Sequence, residues 1–469
     1  EQIHTIVVID PASVELSDRV ISYDQLKADG AAYLAEHPTA VDDSIASTNR
    51  DTLSTLIYTS GTTGRPKGVR LNHLSWVYEG AATKHLKELD ENDLQYLWLP
   101  LSHVFGKALI AVQLAYGFAS AVDGRIDKIV QNLGDVKPTF MCGAPRIFEK
   151  VRGAVMTGNT GLKAKIARWA FSVGYESIDD RLAGRELKGA LAVKYKIADK
   201  LVFSKLKERL GGRMRFMISG SAKLSPQVQR WFYGAGILIV EGYGATETSA
   251  IASLDLPEDP HFGSIGPVLP GMEAKLGDDG ELLLRGPIIT PGYHNLPEKT
   301  AAVLTEDGWY HTGDIAEISP EGIVRITDRK KDLFKTSGGK YVAPQKVESA
   351  IQANIPYIAQ SIAVGEGRKY VSALVVLDPV LLQKWADNHG HKGSYAELSQ
   401  RPEIKASIER QMQRVNDKLE RWETVKKFAI LDHELTVEND GVTANMKIRR
   451  SVVTDKYKDI VDGLYPTED

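Results

Sequence analysis

Residues 53–68 read LSTLIYTSGTTGRPKG. An apolar run with strand character leads straight into a loop that carries the hydroxyls of Tyr58, Thr59, Ser60, Thr62 and Thr63 among Gly61, Gly64 and Gly68, and Lys67 stands at its end. Glycine lets the backbone turn its N–H groups towards one point, hydroxyls add donors, and lysine adds a full positive charge. That combination suits phosphate oxygens. It is not the Walker pattern, since Pro66 stands five places after Gly61 and no Gly-Lys-Ser/Thr follows. A polar surface loop has the same composition, and this stretch alone leaves both readings open.

Working outward, HTIVVID (4–10) and LSTLIYT (53–59) read as buried strands, and HLSWVYEGAATKHLKEL (73–89) as a helix. LQYLWLPL (94–101), PTFMCGAP (138–145) and RFMISGSA (215–222) each read as a strand ending in Gly, Pro or Ser, with helical sequence after it. Strand and helix in alternation predict an α/β domain with a mainly parallel sheet, whose ligands collect at the carboxyl ends of the strands. The opening loop is expected at such an end. From about residue 261 the texture becomes strand-rich, with Asp-Gly and Glu-Gly at hairpin positions. Beyond Arg329 come a helix (KVESAIQAN, 346–354), a strand pair around GEGRKY and a long helix carrying Ile404, Ile408, Met412, Val415 and Leu419, which together predict a small α+β domain. The charged stretch TDRKKD (327–332) is read as the linker, which gives a large domain over 1–328 and a small mobile one over 329–469.

A chain of 469 residues, 43% apolar, 25% charged and of net charge −3, fits a globular protein of two or three domains and gives no reason to expect a nucleic-acid partner. The lone Cys142 cannot form an internal disulfide and reads as a small buried hydrophobe in a reducing, cytoplasmic compartment. ALIAVQLAYGFASAV (108–122) is too short to span a bilayer and carries Gln113. The chain opens at Glu1 without Met and without a basic-then-apolar leader, which reads as a trimmed start with no secretory leader in view. Residues 146–215 are locally basic; a solvated helix face is the default reading, and peripheral contact with anionic membrane lipid is the second.

Three further clusters carry polar chemistry. EGYGATET (241–248) follows the apolar run ILIV, so Gly242 and Gly244 permit close backbone approach beside Tyr243, Thr246 and Glu247. A carboxylate with phosphate oxygens is a usual way to hold Mg²⁺, although a hairpin bearing a surface acid fits as well. In GWYHTGDIA (308–316), Asp314 could accept from two vicinal hydroxyls, or be a surface turn residue. DRKKDLFKTSGGKYVAPQKVE (328–348) joins a basic run to a double glycine.

Together the four stretches resemble the adenylate-forming superfamily of acyl-CoA synthetases, peptide-synthetase adenylation domains and firefly luciferase. They match in order and approximate spacing over nearly the whole chain. PTFMCGAPRIFEKV (138–151) and DRKKDLFKTSGGKYVAPQKVE look most like long-chain fatty acid–CoA ligases. The resemblance implies ATP, Mg²⁺, a fatty acid and coenzyme A: the acid and ATP give acyl-AMP and pyrophosphate, and the CoA thiol then displaces AMP. It implies that Thr59, Ser60, Gly61, Thr62, Thr63, Gly64 and Lys67 cradle the β and γ phosphates, with Thr59 and Glu247 on Mg²⁺ and Thr246 near the α-phosphate. Tyr243 would stack on adenine between Gly242 and Gly244, and Asp314 and Arg329 would hold the ribose, with Lys331 and Lys335 counted on the same nucleotide side. Lys447, in ANMKIRR, matches the superfamily's catalytic lysine; without the resemblance it is one more surface lysine. His103 in PLSHVFG is either an acyl-pocket residue or a core histidine, and Phe105, Gly220 and Ser221 are candidates for the acyl tunnel wall. The small domain would rotate about Lys331 and present a face bearing Gly338 for the second half-reaction.

Two features depart from the superfamily pattern. Only some fifty residues precede the phosphate loop, where relatives carry a substantial section, so the chain reads as a fragment or as numbered from a later start. The gating aromatic that some relatives have beyond PLSH is absent, and Lys107 stands nearby. The alternatives to a CoA ligase are a fatty acyl-AMP ligase that serves a carrier protein, a catalytically silent acyl- or nucleotide-binding scaffold, and a P-loop NTPase, against which the Walker spacing speaks.

Overall fold

A computed structural model describes residues 3–59, 66–157, 161–436, 438–442 and 448–465. Ser60, Gly61, Thr62, Thr63, Gly64 and Lys447 lie outside the described residues. The chain divides into two compact units, Glu1–Leu53 and Ser54–Asp469.

In the first unit, β1 (Ile6–Val8) pairs in parallel with β2 (Val20–Ser22), followed by α1 (Tyr23–Glu36) and α2 (Ala40–Ser47). No described residue of this unit is buried, and Ile6 and Val7 are exposed. The expectation of a buried strand at HTIVVID is therefore corrected. A two-stranded pair with two short helices is too small to close a core of its own.

The chain passes into the second unit within β3 (Leu53–Thr59), which pairs with β4 (Lys67–Asn72) in a two-stranded sheet. The loop after β3 thus follows a strand outside the main parallel sheet, contrary to the sequence reading. α3 (His73–His85) stops four residues short of the expected end, because Lys87 takes a left-handed conformation at φ 61°. The main sheet holds β5 (Leu94–Leu97), β6 (Ala119–Val122), β7 (Phe140–Gly143), β8 (Phe216–Ser219), β9 (Leu238–Tyr243) and β10 (Ser253–Leu254), in the order β10-β9-β8-β7-β5-β6. Only β10 is antiparallel to its neighbour. The stretch 108–122 forms the end of α4 (Val104–Tyr116) and then β6; Ala108, Leu109, Val112, Tyr116 and Phe118 are buried in the protein, whereas Leu114 and Val122 are exposed.

Alternation along β7 and β8 decides which core each side chain enters. Phe140 pairs with Phe216 and Cys142 with Ile218, on the face that meets α4. Met141 and Met217 enter the opposite layer, packed with Phe148, Phe171, Trp231 and Phe232 from the helices between β7 and β9. Trp231 stacks on Phe171 with centroids 4.2 Å apart.

A four-stranded antiparallel sheet follows: β11 (Glu273–Leu276), β12 (Glu281–Arg285), β13 (Tyr310–Ile318) and β14 (Val324–Arg329). β14 absorbs Thr327, Asp328 and Arg329, which shortens the expected linker to the turn after Arg329. The remainder comprises β15 (Phe334–Lys335) with β16 (Tyr341–Val342), a sheet of β17 (Ile358–Val364), β18 (Val371–Leu377) and β19 (Val425–Ile430), and the helices Pro344–Asn354 and Pro402–Asn416. Leu419 lies beyond the long helix but still packs on its core. Among the described residues, the hydrophobic clusters draw their members either from residues before 327 or from residues after 333, and none mixes the two.

Candidate active site

A cavity of about 1690 Å³ opens at the carboxyl ends of β8 and β9, where parallel strands deliver their loops. β9 ends in Gly242 and Tyr243, and the short turn Thr246–Thr248 follows. Gly244 has to be glycine: a Cβ there would come within 1.8 Å of the Ala250 carbonyl oxygen. The loop closes through Ala250, which is buried at φ 106°, a conformation that costs a non-glycine residue energy and persists where its surroundings enforce it.

On one wall, Asp314 and Arg329 are register partners of β13 and β14, and Arg329 Nε lies 3.2 Å from Asp314 Oδ1. The Tyr243 hydroxyl donates to Asp314 Oδ2 at 2.5 Å. Burial pushes the Tyr243 hydroxyl well above its ordinary pKa, and the Asp314 carboxylate adds to the shift, so Tyr243 stays a donor. A carboxylate has about four lone-pair sites, so Asp314 can still accept from further hydroxyls.

Opposite, Thr59 ends β3 and Lys67 begins β4, so the pair brackets the loop outside the described residues. Glu247 Oε1 accepts from the Tyr293 hydroxyl at 2.8 Å, and Lys67 Nζ lies 4.7 Å from the Tyr293 ring centroid. Tyr293 therefore joins the two groups that the sequence assigned to phosphate and metal. Burial raises its hydroxyl pKa, and Glu247 raises it further. Tyr293 was not foreseen, because GYHN in a Gly- and Pro-rich turn gives no chemical signal. Thr246 is buried in the same wall. Thr59 and Glu247 offer only oxygen, the donor set Mg²⁺ takes alongside phosphate oxygens.

A third part of the cavity is apolar. His103 caps α4, its Nδ1 accepting from Phe105 N at 3.3 Å. Phe105 packs against Gly220, where an added Cβ would meet its ring at 2.9 Å, and Ser221 follows in a left-handed conformation at φ 70°. Beyond them the cavity continues between α4 and the face of β7 and β8 that bears Phe140, Cys142, Phe216 and Ile218.

Lys331 lines the cavity with Asp332, as do Ile448 and Arg449, the described residues that follow Lys447. Lys335 and Gly338 are not brought to it: both are exposed around the β15–β16 pair, and Lys335 Nζ lies 5.5 Å from the Tyr341 ring. Sequence reasoning also missed Glu241, which lines the cavity floor fully buried and accepts from Leu224 N at 2.8 Å. Desolvation pushes its carboxyl up to about 8, only partly opposed by that bond and by Lys223.

A chamber that puts a carboxylate, tyrosine and arginine at one end, a lysine and a second carboxylate across from them, and an apolar passage leading away has the groups to hold a nucleotide and the room for an apolar substrate. Residues 2–294 match the model of the AMP-binding enzyme family, and residues 331–469 match that of the AMP-binding enzyme C-terminal domain. The chain belongs to the AMP-binding enzyme family. It is 36% identical over 421 residues to the putative fatty-acid–CoA ligase fadD11 of Mycobacterium tuberculosis, covering 88% of this chain and 74% of that protein. To long-chain-fatty-acid–CoA ligase 1 of Cavia porcellus it is 32% identical over 438 residues, covering 89% and 61%. Among solved structures, the adenylation domain of a carboxylate reductase from Mycobacterium chelonae superposes with a TM-score of 0.66 at 24% identity, over 89% of this chain and 60% of that one, and shares the fold.

Proposed function

We propose that this chain is an ATP-dependent, AMP-forming fatty acid–CoA ligase. The observation that carries the reading is the continuity of the cavity: the Tyr243, Asp314 and Arg329 wall and the apolar passage beside Phe105 belong to one space. A carboxylate resists attack by a thiol until it has a better leaving group. ATP supplies one: the fatty acid oxygen attacks the α-phosphate and pyrophosphate leaves; the CoA sulfur then attacks the acyl carbon and AMP leaves.

Asp314 and Arg329 hold the ribose hydroxyls, and Tyr243 offers its ring to the base. Lys67 neutralises phosphate charge, and Thr246 donates near the α-phosphate. Thr59 and Glu247 hold Mg²⁺, which supplies charge neutralisation on the triphosphate. His103, Phe105, Gly220 and Ser221 line the entry of the acyl chain. Lys447 supplies positive charge where the acyl carboxylate meets the α-phosphate; the presence of Ile448 and Arg449 in the cavity wall supports that assignment. Lys331 is the pivot of a small domain over 329–469, and Lys335 and Gly338 reach the site only after that domain turns.

Incubation with ATP, Mg²⁺ and a fatty acid, followed by free CoA, tests the reading. Acyl-CoA, AMP and pyrophosphate are expected. Pyrophosphate exchange without acyl-CoA would point to a carrier protein as acceptor, and neither product would leave a silent scaffold.

Contact with anionic lipid is a second, compatible reading. Val193, Ile197 and Leu201 are exposed at helical spacing along the helix Gly189–Ala198 and its continuation, and Lys194, Lys196, Lys200 and Lys205 are exposed around them. Residues 161–209 hold twelve Lys and Arg against six Asp and Glu, in a chain of net charge −3. Sedimentation with phosphatidylserine vesicles, weakened in Ile197→Glu and absent with phosphatidylcholine alone, is the expected result.

A further inference from the structure

The apolar passage has a definable length. Phe105, Leu109, Val112 and Tyr116 all line it, and they stand at i, i+4, i+7 and i+11 of α4, on one face of that helix. Across from them, Cys142 and Ile218 lie one pleat from Phe140 and Phe216 on a single sheet face. Both walls run from the nucleotide end, where Phe105 meets Gly220, to the opposite end of the strands.

There the walls converge on aromatic rings. Tyr116 lies 6.0 Å from Phe118, which packs edge-on to Phe140 at 5.1 Å, and Phe140 faces Phe216 at 6.2 Å. Tyr116 is also tethered: its hydroxyl donates to the Thr83 carbonyl of α3 at 2.5 Å. A ring held by both packing and a hydrogen bond cannot swing aside cheaply. Thr83, Leu86 and Leu89 line the cavity around that end.

We infer that Tyr116 is a specificity-determining residue: its ring, held by the Thr83 carbonyl, stops the acyl chain and sets the longest fatty acid the site takes well. The inference rests on the fatty acid reading above. Eleven helical residues separate Phe105 from Tyr116, about 16 Å along the axis at 1.5 Å per residue. An extended hydrocarbon advances roughly 1.3 Å per carbon, from bonds of about 1.5 Å at tetrahedral angles, so about twelve carbons fit beyond Phe105. Longer chains must bend or displace the ring.

The test is kcat/KM for acyl-AMP formation over saturated fatty acids of increasing length, in the whole chain and three variants. Tyr116→Val should raise kcat/KM for chains the unmodified chain discriminates against, by about fourfold for each methylene newly buried. Tyr116→Phe keeps the packed ring and removes only the hydrogen bond to Thr83, so its length profile should shift in the same direction as that of Tyr116→Val and by less. Val112→Phe places a ring one turn nearer the site and should shorten the optimum by about four carbons. A Tyr116→Val profile superimposable on the original would overturn the inference; if that variant does not fold, an unchanged profile in Val112→Phe overturns it equally. Failure of the unmodified chain to activate any fatty acid would instead defeat the reading of function, and needs no variant to be seen.

Discussion

Single side chains in the chamber act through what they touch. Tyr293 holds one oxygen of Glu247 and carries Lys67 over its ring, so it fixes the orientation of both. Tyr293→Phe keeps the ring and removes only the hydrogen bond; the Mg²⁺ concentration for half-maximal pyrophosphate exchange should rise several-fold, and an unchanged value would place the metal elsewhere. Lys447→Ala should lower the exchange rate far more than it weakens ATP binding, since its charge matters most where negative charge builds up. Glu241 makes a different prediction. Its carboxyl is raised from an ordinary 4.5 to about 8, chiefly by burial, and the Asp255 carboxyl is likewise raised to about 7. The folded state therefore favours the protonated forms, and the stability this gives is complete below about pH 4 and lost as pH rises through 7 to 8. Each pH unit in that window should cost up to about 1.4 kcal/mol per group. Glu241→Gln, which can still accept from Leu224 N–H, should flatten the fall of Tm between pH 5 and 8 measured by calorimetry.

At the scale of elements, the strands β7, β8 and β9 could be read from sequence because each is a short apolar run closed by Gly, Pro or Ser. Their two-faced character follows from alternation: Phe140 and Cys142 towards one layer, Met141 towards the other. Pairing partners were not legible. LSTLIYT looks like the buried strands around it, yet only Ile57 of β3 is buried and the strand pairs with β4 alone. Nor could Tyr293 be found, because its meaning comes from Glu247, distant in the chain. Tyr116 was hidden in a run read for membrane character, although its spacing from Phe105 was on view. The loop after β9 offers a sharper test. Gly244→Ala would drive a methyl group into the Ala250 carbonyl, and should cost about 1–3 kcal/mol or more of stability, seen as a lower denaturant midpoint.

At the scale of the whole molecule, the chamber is built by both sides of the turn after Arg329. Lys331 is exposed, and residues on both sides of it line the cavity: Asp314 and Arg329 before, Glu348 and Arg450 after. Arg450 Nη2 lies 2.7 Å from Glu348 Oε1, and Arg450 Nη1 donates to the Ala363 carbonyl at 3.0 Å, so the later elements are tied to one another. Such an arrangement suits rotation of one packed body about a short hinge. Lys331→Pro, which fixes φ, should therefore spare acyl-AMP formation and slow thioester formation by an order of magnitude or more, with the two half-reactions timed separately. Equal loss in both would count against the rotation.

The lone cysteine lies on the wall of the apolar passage. Cys142 is buried, and desolvation pushes its thiol up to about 12, so its thiolate is scarce and any alkylating reagent should label it slowly, a polar one slowest of all. A small apolar alkylating agent that reaches it from the chamber must share the passage with any hydrocarbon lodged there. Its rate of attachment would then serve as a built-in occupancy gauge, free of any engineered label, that reads whether a chain is lodged inside before any bond has been made or broken.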